Sequence, residues 1–270
     1  MRTLVLEGGG MRGAFNFGVL VAFNRHGIKS GFFDNYIGTS AGAYNMVYFM
    51  TDQVPMGFKV WEELLIDNFV SYRRGKPQFN IEYLRKMLTE DAPLDFKKIR
   101  KAKQKAFLPL SNPETCDADY FCLNTYPDIL DLMLINAEPP FLAKPNIIYG
   151  KHYYDGGITA LIPLEKAKQL GSGEIWVVCN TPAGYRRKSW KYWLSAALTF
   201  RKPGLRKLLL SRPKRENALR REIEESKKFI VIRPEKALPI SWISRDKKKV
   251  KQALELGIEA AEKVLKERGY

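Results

Sequence analysis

Residues 36–43 read Tyr36-Ile37-Gly38-Thr39-Ser40-Ala41-Gly42-Ala43 and run on into the apolar stretch 43–50. A short strand ends here, turns within three residues and becomes a helix. So abrupt a turn needs Gly38 and Gly42, because a side chain at either position would crowd the crossing backbone. The same order occurs earlier in the chain. Residues 3–6 form an apolar run, Gly8-Gly9-Gly10 breaks it, and Phe15, Val19, Ala22 and Phe23 recur at helical spacing behind Gly13. Further apolar strands are predicted at 106–110, 120–123, 147–154, 174–179 and 229–232. Helical stretches fall at 58–70, 81–88 and 128–137, with Asn80 as an N-cap and Pro139-Pro140 as a stop. The last helix carries its apolar stripe through Val250, Leu254, Ile258, Ala261 and Leu265, with Ser244 as the candidate cap and Gly269 as the stop. Strands alternating with helices predict an α/β fold, a three-layer α/β/α sandwich with a mostly parallel central sheet. No repeat or low-complexity linker divides the 270 residues, so one domain is expected over 1–270, with a basic helical excursion at about 183–224.

Hydrophobic residues at 45% and charged residues at 27% exclude global disorder. The 45 Lys+Arg against 29 Asp+Glu give a net charge of +16, which attracts nucleic acid, anionic lipid or phosphorylated substrates without choosing among them. Cys116, Cys122 and Cys179 are odd in number and lack metal-like pairing, so a reducing compartment is expected. Glu7 interrupts the opening residues too soon for a signal sequence, and no apolar run approaches the roughly 18 residues of a membrane span. The expected location is cytoplasmic, free or peripheral at a membrane.

Gly38-Thr39-Ser40-Ala41-Gly42 matches the nucleophile elbow G-x-S-x-G, in which Ser40 Oγ stands exposed at the strand-to-helix turn. The plainer reading of Ser40 is a helix N-cap. Gly8-Gly9-Gly10-Met11-Arg12-Gly13 also follows a strand and opens a helix, so its main-chain N–H groups can receive a phosphate or the oxyanion of an acyl transfer. It fits the dinucleotide pattern G-x-G-x-x-G as well, with Asp34 about 20 residues on, but that reading leaves Ser40 unexplained. Asp155-Gly156-Gly157 closes another strand, and alone it reads as a turn. The two histidines, His26 and His152, both precede Asp155, so the order Ser, Asp, His of an α/β-hydrolase triad is missing. If Ser40 is a nucleophile, Asp155 is the leading candidate for its base.

Taken together and in this order, Glu7-Gly8-Gly9-Gly10-Met11-Arg12-Gly13, the Ser40 elbow and Asp155-Gly156-Gly157 resemble the patatin-like phospholipase family over about residues 1–180. The resemblance implies a Ser40–Asp155 dyad that hydrolyses acyl esters of phospholipid or lysophospholipid, without cofactor or metal. It implies an oxyanion hole at Gly9, Gly10, Met11 and Arg12. The family usually opens its glycine run with Asp; this chain has Glu7, one methylene longer, which bears on how the loop is anchored.

Residues 186–221 hold thirteen Lys and Arg against Glu216 alone, twelve of the sixteen net positive charges. Within them Trp190, Trp193, Leu194, Ala197 and Leu198 share one helix face, and Leu205, Leu208 and Leu209 repeat the pattern. Such a helix suits an anionic membrane interface; the bland alternative packs its apolar face on the sheet and leaves the cations solvated. Lys247-Lys248-Lys249, in the first turn of the last helix, reads as a solvated run. No nucleic-acid motif accompanies the charge, and no nucleic-acid partner is expected. Two functions remain in view: a serine lipid acyl hydrolase that docks on anionic membranes, and a non-catalytic basic binding module that keeps the elbow as a turn.

Overall fold

A computed structural model describes residues 1–73, 76–138, 145–197, 199 and 202–270; of residues 73, 76, 77 and 191 the backbone alone is described. Pro139, Pro140, Leu198 and Arg201, which the sequence reading used, lie outside the described residues. The first half of the chain runs β1 (Arg2–Leu6), α1 (Gly13–Arg25), β2 (Asn35–Gly38), α2 (Ala41–Met50), α3 (Val54–Lys59), α4 (Leu65–Asn68), β3 (Val70–Arg73), β4 (Lys76–Phe79), α5 (Ile81–Lys86) and α6 (Phe96–Lys101). The second runs β5 (Lys105–Asn112), β6 (Asp117–Cys122), α7 (Ile129–Ile135), β7 (Asn146–Ile148), β8 (Lys151–Asp155), α8 (Leu164–Gln169), β9 (Glu174–Val178), α9 (Trp190–Ala197), α10 (Pro203–Glu225), β10 (Phe229–Ile232) and α11 (Lys247–Glu267).

Eight strands form one sheet in the order β10-β9-β1-β2-β5-β8-β7, with β6 on β5. The pairs β10–β9, β9–β1, β1–β2 and β2–β5 are parallel, while β6, β7 and β8 pair antiparallel. Both faces are covered, which is why the central strands read as unbroken apolar runs rather than as alternating ones. Leu4, Leu6, Tyr36, Trp176 and Val178 point to the layer that holds α1, α2 and α11. Val5, Ile37, Ile175 and Val177 point the other way, to Leu164 and Ala167 of α8 and Ile223 of α10. The three-layer sandwich follows from that alternation.

Register carries the functional candidates to one end of the sheet. Leu6 pairs with both Gly38 and Val178, so the glycine loop, the elbow and residue 180 leave the sheet side by side. Ile37 pairs with Phe107 and Leu110 pairs with Asp155, which brings Asp155 level with Ser40 three residues further along. Ligands of open α/β sheets bind beyond these carboxyl ends.

Three local readings need correction. The extended stretch at 147–154 is a hairpin: Ile148 pairs with Lys151, and Tyr149 (φ 49°) and Gly150 (φ 75°) make a two-residue turn. An aromatic at a left-handed position gives no turn signal. The cap of α11 is Asp246, not Ser244; its Oδ1 accepts the N–H groups of Lys248 and Lys249 at 3.0 and 3.2 Å, and its charge offsets the lysines of that first turn. The leucines of α10 are not an interface stripe, because Leu205, Leu208 and Leu209 are buried with Tyr154 and Ile158. Asn80 does cap α5, accepting from Tyr83 N at 2.9 Å.

Candidate active site

Ser40 occupies the N-cap position of α2 with φ 50° and ψ −127°, and its side chain makes no cap hydrogen bond. Positive φ at a non-glycine residue costs on the order of 1–3 kcal/mol and persists only where neighbours over-determine it. They do so here. Ser40 N–H donates to Asn136 Oδ1 at 2.5 Å, and Asn136 Nδ2 donates to Pro109 O at 2.8 Å. Thr39 Oγ1 donates to Ala160 O at 2.7 Å, and Thr39 N–H to Leu6 O at 3.3 Å. A Cβ on Gly38 would lie 2.5 Å from Gly42 O, and one on Gly42 would lie 2.6 Å from Leu6 O, the crowding that demands both glycines. Asn136, fully buried at the end of α7, is a positioning residue the sequence did not disclose. An asparagine after a helix carries no signal of the strand it will meet.

The glycine loop is tied down from both sides. Gly8 N–H donates to Leu161 O at 2.8 Å and Met11 N–H to Trp242 O at 3.0 Å. Gly10 has φ 55°, and a Cβ there would lie 2.3 Å from Trp242 O. Arg12 N–H closes a tight turn on Gly9 O at 3.3 Å. Of the four amides expected at the oxyanion hole, those of Met11 and Arg12 are thus already engaged. Among the described residues the N–H groups of Gly9, Gly10 and Ala41 carry no partner. Ala41, the residue after Ser40, could have been read from the elbow itself.

Glu7 is fully buried and holds this loop through its longer side chain. Oε1 pairs with Arg220 Nη2 of α10 at 2.6 Å, and Oε2 accepts Asn180 N–H at 2.6 Å. Asn16 Nδ2 and Asn180 Nδ2 donate to Glu7 O at 2.7 and 3.2 Å. The extra methylene that departs from the family pattern therefore ends on a guanidinium 213 residues away.

Asp155 ends β8 and accepts Gly157 N–H on Oδ1 at 2.8 Å. Burial pushes its carboxyl up to about 7, against smaller opposing contributions from Gly157 N–H and the Arg212 charge. Ser40 and Asp155 line one cavity of about 760 Å³ together with Gly9 and Gly10; among the described residues no hydrogen bond joins the two side chains. Catalytic contacts in apo enzymes often tighten only on substrate. The histidines are elsewhere. His152 is exposed and faces Glu114 at 3.3 Å, and His26 follows α1 at the surface. Asp34, the acid of the dinucleotide reading, is exposed at the opposite end of β2, where it accepts Arg2 N–H at 2.7 Å. That geometry removes the reading, because the acid precedes its strand instead of ending it.

Two sets of residues from different packing clusters line the cavity, one making an apolar end and the other a basic end. Trp61, Leu65, Phe69, Phe79, Leu84 and Met87 line an apolar end. Arg186, Arg187, Lys188, Tyr192 and Arg212 line a basic one. The cations of 186–221 are therefore not all solvated: Arg187, Arg212 and Arg220 are largely buried around Glu216. Burial alone would raise Glu216, but Arg187, Arg212 and Arg220 hold its carboxyl at about 2. Of the exposed triplet, Lys247 pairs with Asp67 at 2.6 Å. Among the described residues no helix is long and apolar enough to cross a membrane.

A family model described as patatin-like phospholipase matches residues 4–168. The "Uncharacterized protein YjjU" of Escherichia coli (strain K12) is 29% identical over 190 residues, 67% of this chain and 52% of that protein. The chain thus spans about half the length of the curated relative it matches. The crystal structure of VipD from Legionella pneumophila is similar with a TM-score of 0.50 at 14% identity, over 98% of this chain and 67% of that one. At that identity the likeness concerns the fold alone.

Proposed function

The chain belongs to the patatin-like phospholipase family, and on that premise we propose that residues 1–270 act as one unit, a serine lipid acyl hydrolase of phospholipase A or lysophospholipase type. The observation that carries this reading is the convergence of Ser40, Asp155 and the open amides of Gly9 and Gly10 on one cavity with an apolar end. Asp155 takes the proton of Ser40 Oγ as the oxygen attacks the ester carbonyl. A carboxyl at about 7 is a stronger base than an ordinary aspartate, so desolvation supplies part of what an imidazole would. The tetrahedral oxyanion is received by Gly9, Gly10 and Ala41 N–H, at the positive end of α2. Protonated Asp155 returns the proton to the departing alcohol, leaving acyl-Ser40. Water, deprotonated by Asp155, then attacks the acyl carbon; Ser40 recovers its proton and the fatty acid leaves.

The exposed apolar face of α9 supports docking at a membrane. Trp193 and Leu194 are 70% and 63% exposed, and Trp190, at 61%, also lines the cavity, so that helix adjoins the cavity wall. Trp–Leu surface flanked by Arg and Lys suits an anionic lipid interface. Selective labelling of Ser40 by a fluorophosphonate tests the chemistry: labelling lost in Ser40→Ala supports the hydrolase, whereas folded protein that never labels favours the binding module. Co-sedimentation with anionic and neutral vesicles tests the docking, and equal binding to both would reject an electrostatic contribution.

A further inference from the structure

Among the arginines near the cavity, Arg220 is fully engaged. Its Nε and Nη2 donate to Glu216 at 3.1 and 2.8 Å, Nη1 to Thr181 at 2.6 Å and Nη2 to Glu7 at 2.6 Å. Arg187 and Arg212 are different. Arg187 ion-pairs with Glu216 through Nε and donates from Nη1 to Tyr192 OH at 2.8 Å, but its buried Nη2 has no hydrogen-bond partner among the described residues. Arg212 approaches Glu216 only at 3.7 Å through Nε, and among the described residues its two Nη groups make no hydrogen bond. Both guanidinium groups lie over the Tyr192 ring, at 5.7 and 5.3 Å, which orients them.

The charges do not balance. The guanidinium groups of Arg12, Arg187, Arg212 and Arg220 surround two carboxylates, Glu7 and Glu216. On the cavity wall itself stand Arg12, Arg186, Arg187, Lys188 and Arg212, with Asp155 the only carboxylate among the described lining residues; Arg186 among them is paired with Glu224 at 2.7 Å. Surplus charge and unpaired N–H groups out of water are costly, and an anion seated among them removes both costs. Guanidinium forks match the oxygens of phosphate.

We infer that the basic end of the cavity is a phosphate subsite, in which Arg212 and Arg187, with Arg12 nearby, receive the phosphate of a glycerophospholipid whose acyl chain lies in the apolar end. The identity of this ligand rests on the hydrolase reading; the anion site does not. Because the described lining residues offer no carboxylate to a headgroup cation beyond the one at the dyad, headgroups without a cation are preferred over zwitterionic ones.

The test compares 1-acylglycerol 3-phosphate, 1-acylglycerol 3-phosphocholine and uncharged 1-acylglycerol as substrates of the wild type and Arg212→Gln. Ratios of kcat/KM within one preparation are independent of its active fraction. The wild type is expected to favour the phosphate monoester over both others by about tenfold or more, and Arg212→Gln to reduce those ratios by about tenfold. Equal rates on all three esters with Ser40 still labelled by fluorophosphonate, or ratios unchanged in Arg212→Gln, overturn the subsite and leave the hydrolase standing. If nothing is hydrolysed, calorimetric titration of the same protein with sn-glycerol 3-phosphate, glycerol and inorganic phosphate decides separately. Binding of glycerol 3-phosphate but not glycerol, weakened in Arg212→Gln, upholds the subsite without the enzyme. Tighter binding of inorganic phosphate assigns the site to free phosphate and overturns the lipid headgroup, and no binding of either phosphate overturns the anion site.

Discussion

The apolar and basic ends of the cavity are built by different physics from different parts of the chain. Trp61, Leu65, Leu84 and Met87 come from the first third, inside the stretch that matches the family, and belong to the main core. Contacts of that kind are non-directional, so the apolar end can change volume by small substitutions and keep the fold. Arg187, Arg212 and Tyr192 come from α10 and the segment that precedes it, beyond the family match. They are held by ion pairs and ring contacts that work in one geometry only. Loss of one partner there leaves another charge buried. On the proposed function the difference gives acyl selection to a tolerant surface and headgroup selection to an unforgiving one, with the Ser40–Asp155 pair as the seam between them.

The seam gives the largest expected effect. Ser40→Ala and Asp155→Asn should each lower ester turnover by at least about 10³-fold with the fold intact by circular dichroism. Full activity in either would dissolve the division between the two ends. In the wild type kcat/KM should rise with pH and reach half its plateau near pH 7, because the base must be ionised. The same carboxyl works against stability. Well below its ordinary 3.8 it is protonated folded or unfolded; between 3.8 and about 7 the unfolded chain ionises first, so stability falls as pH rises. Asp155→Asn should therefore unfold later than the wild type in urea at pH 8, by up to about 4 kcal/mol.

Next in size is the basic end. Arg220→Met strands Glu7 and takes from Glu216 one of its three arginines, and should cost about 3–5 kcal/mol in urea unfolding at neutral pH. A loss under 1 kcal/mol would mean this end is as forgiving as the other. At the apolar end Phe79, stacked on Trp242 with centroids 5.7 Å apart, can be truncated with less damage. Phe79→Ala should lower kcat/KM for long acyl chains by about tenfold and for short ones much less, flattening the chain-length profile. An effect equal for all chain lengths would remove Phe79 from acyl selection. Smallest is Trp193, on the exposed face of α9 and not among the cavity-lining residues. Trp193→Ala should weaken binding to anionic vesicles by roughly threefold and leave the melting temperature within about a degree.

Legibility in the sequence followed the range of the interaction. The strand–turn–helix units at 3–23 and 36–50 were readable because buried parallel strands are plain apolar runs and the glycines answer local crowding. Asp155 was readable only as one member of a set of motifs, since Asp-Gly alone denotes a turn. Asn136 and Arg220 left no trace, because a contact 96 or 213 residues long imposes no periodicity on either end. The basic stretch left two readings open for a related reason: composition counts every cation alike, whereas within it the Arg220 side chain is 4% exposed and that of Arg186 34%. The leucines of α10 showed the correct helical stripe, but a stripe does not say whether sheet or lipid covers it.

The pairing of Glu7 with Arg220 also bears on the birth of the molecule. A polypeptide emerging from the ribosome displays its glycine loop and elbow long before α10 has been synthesised, and until then Glu7 has no guanidinium to meet. Any fragment that stops after the family-matched stretch carries all three motifs but should fail to set the loop, which waits on the synthesis of α10.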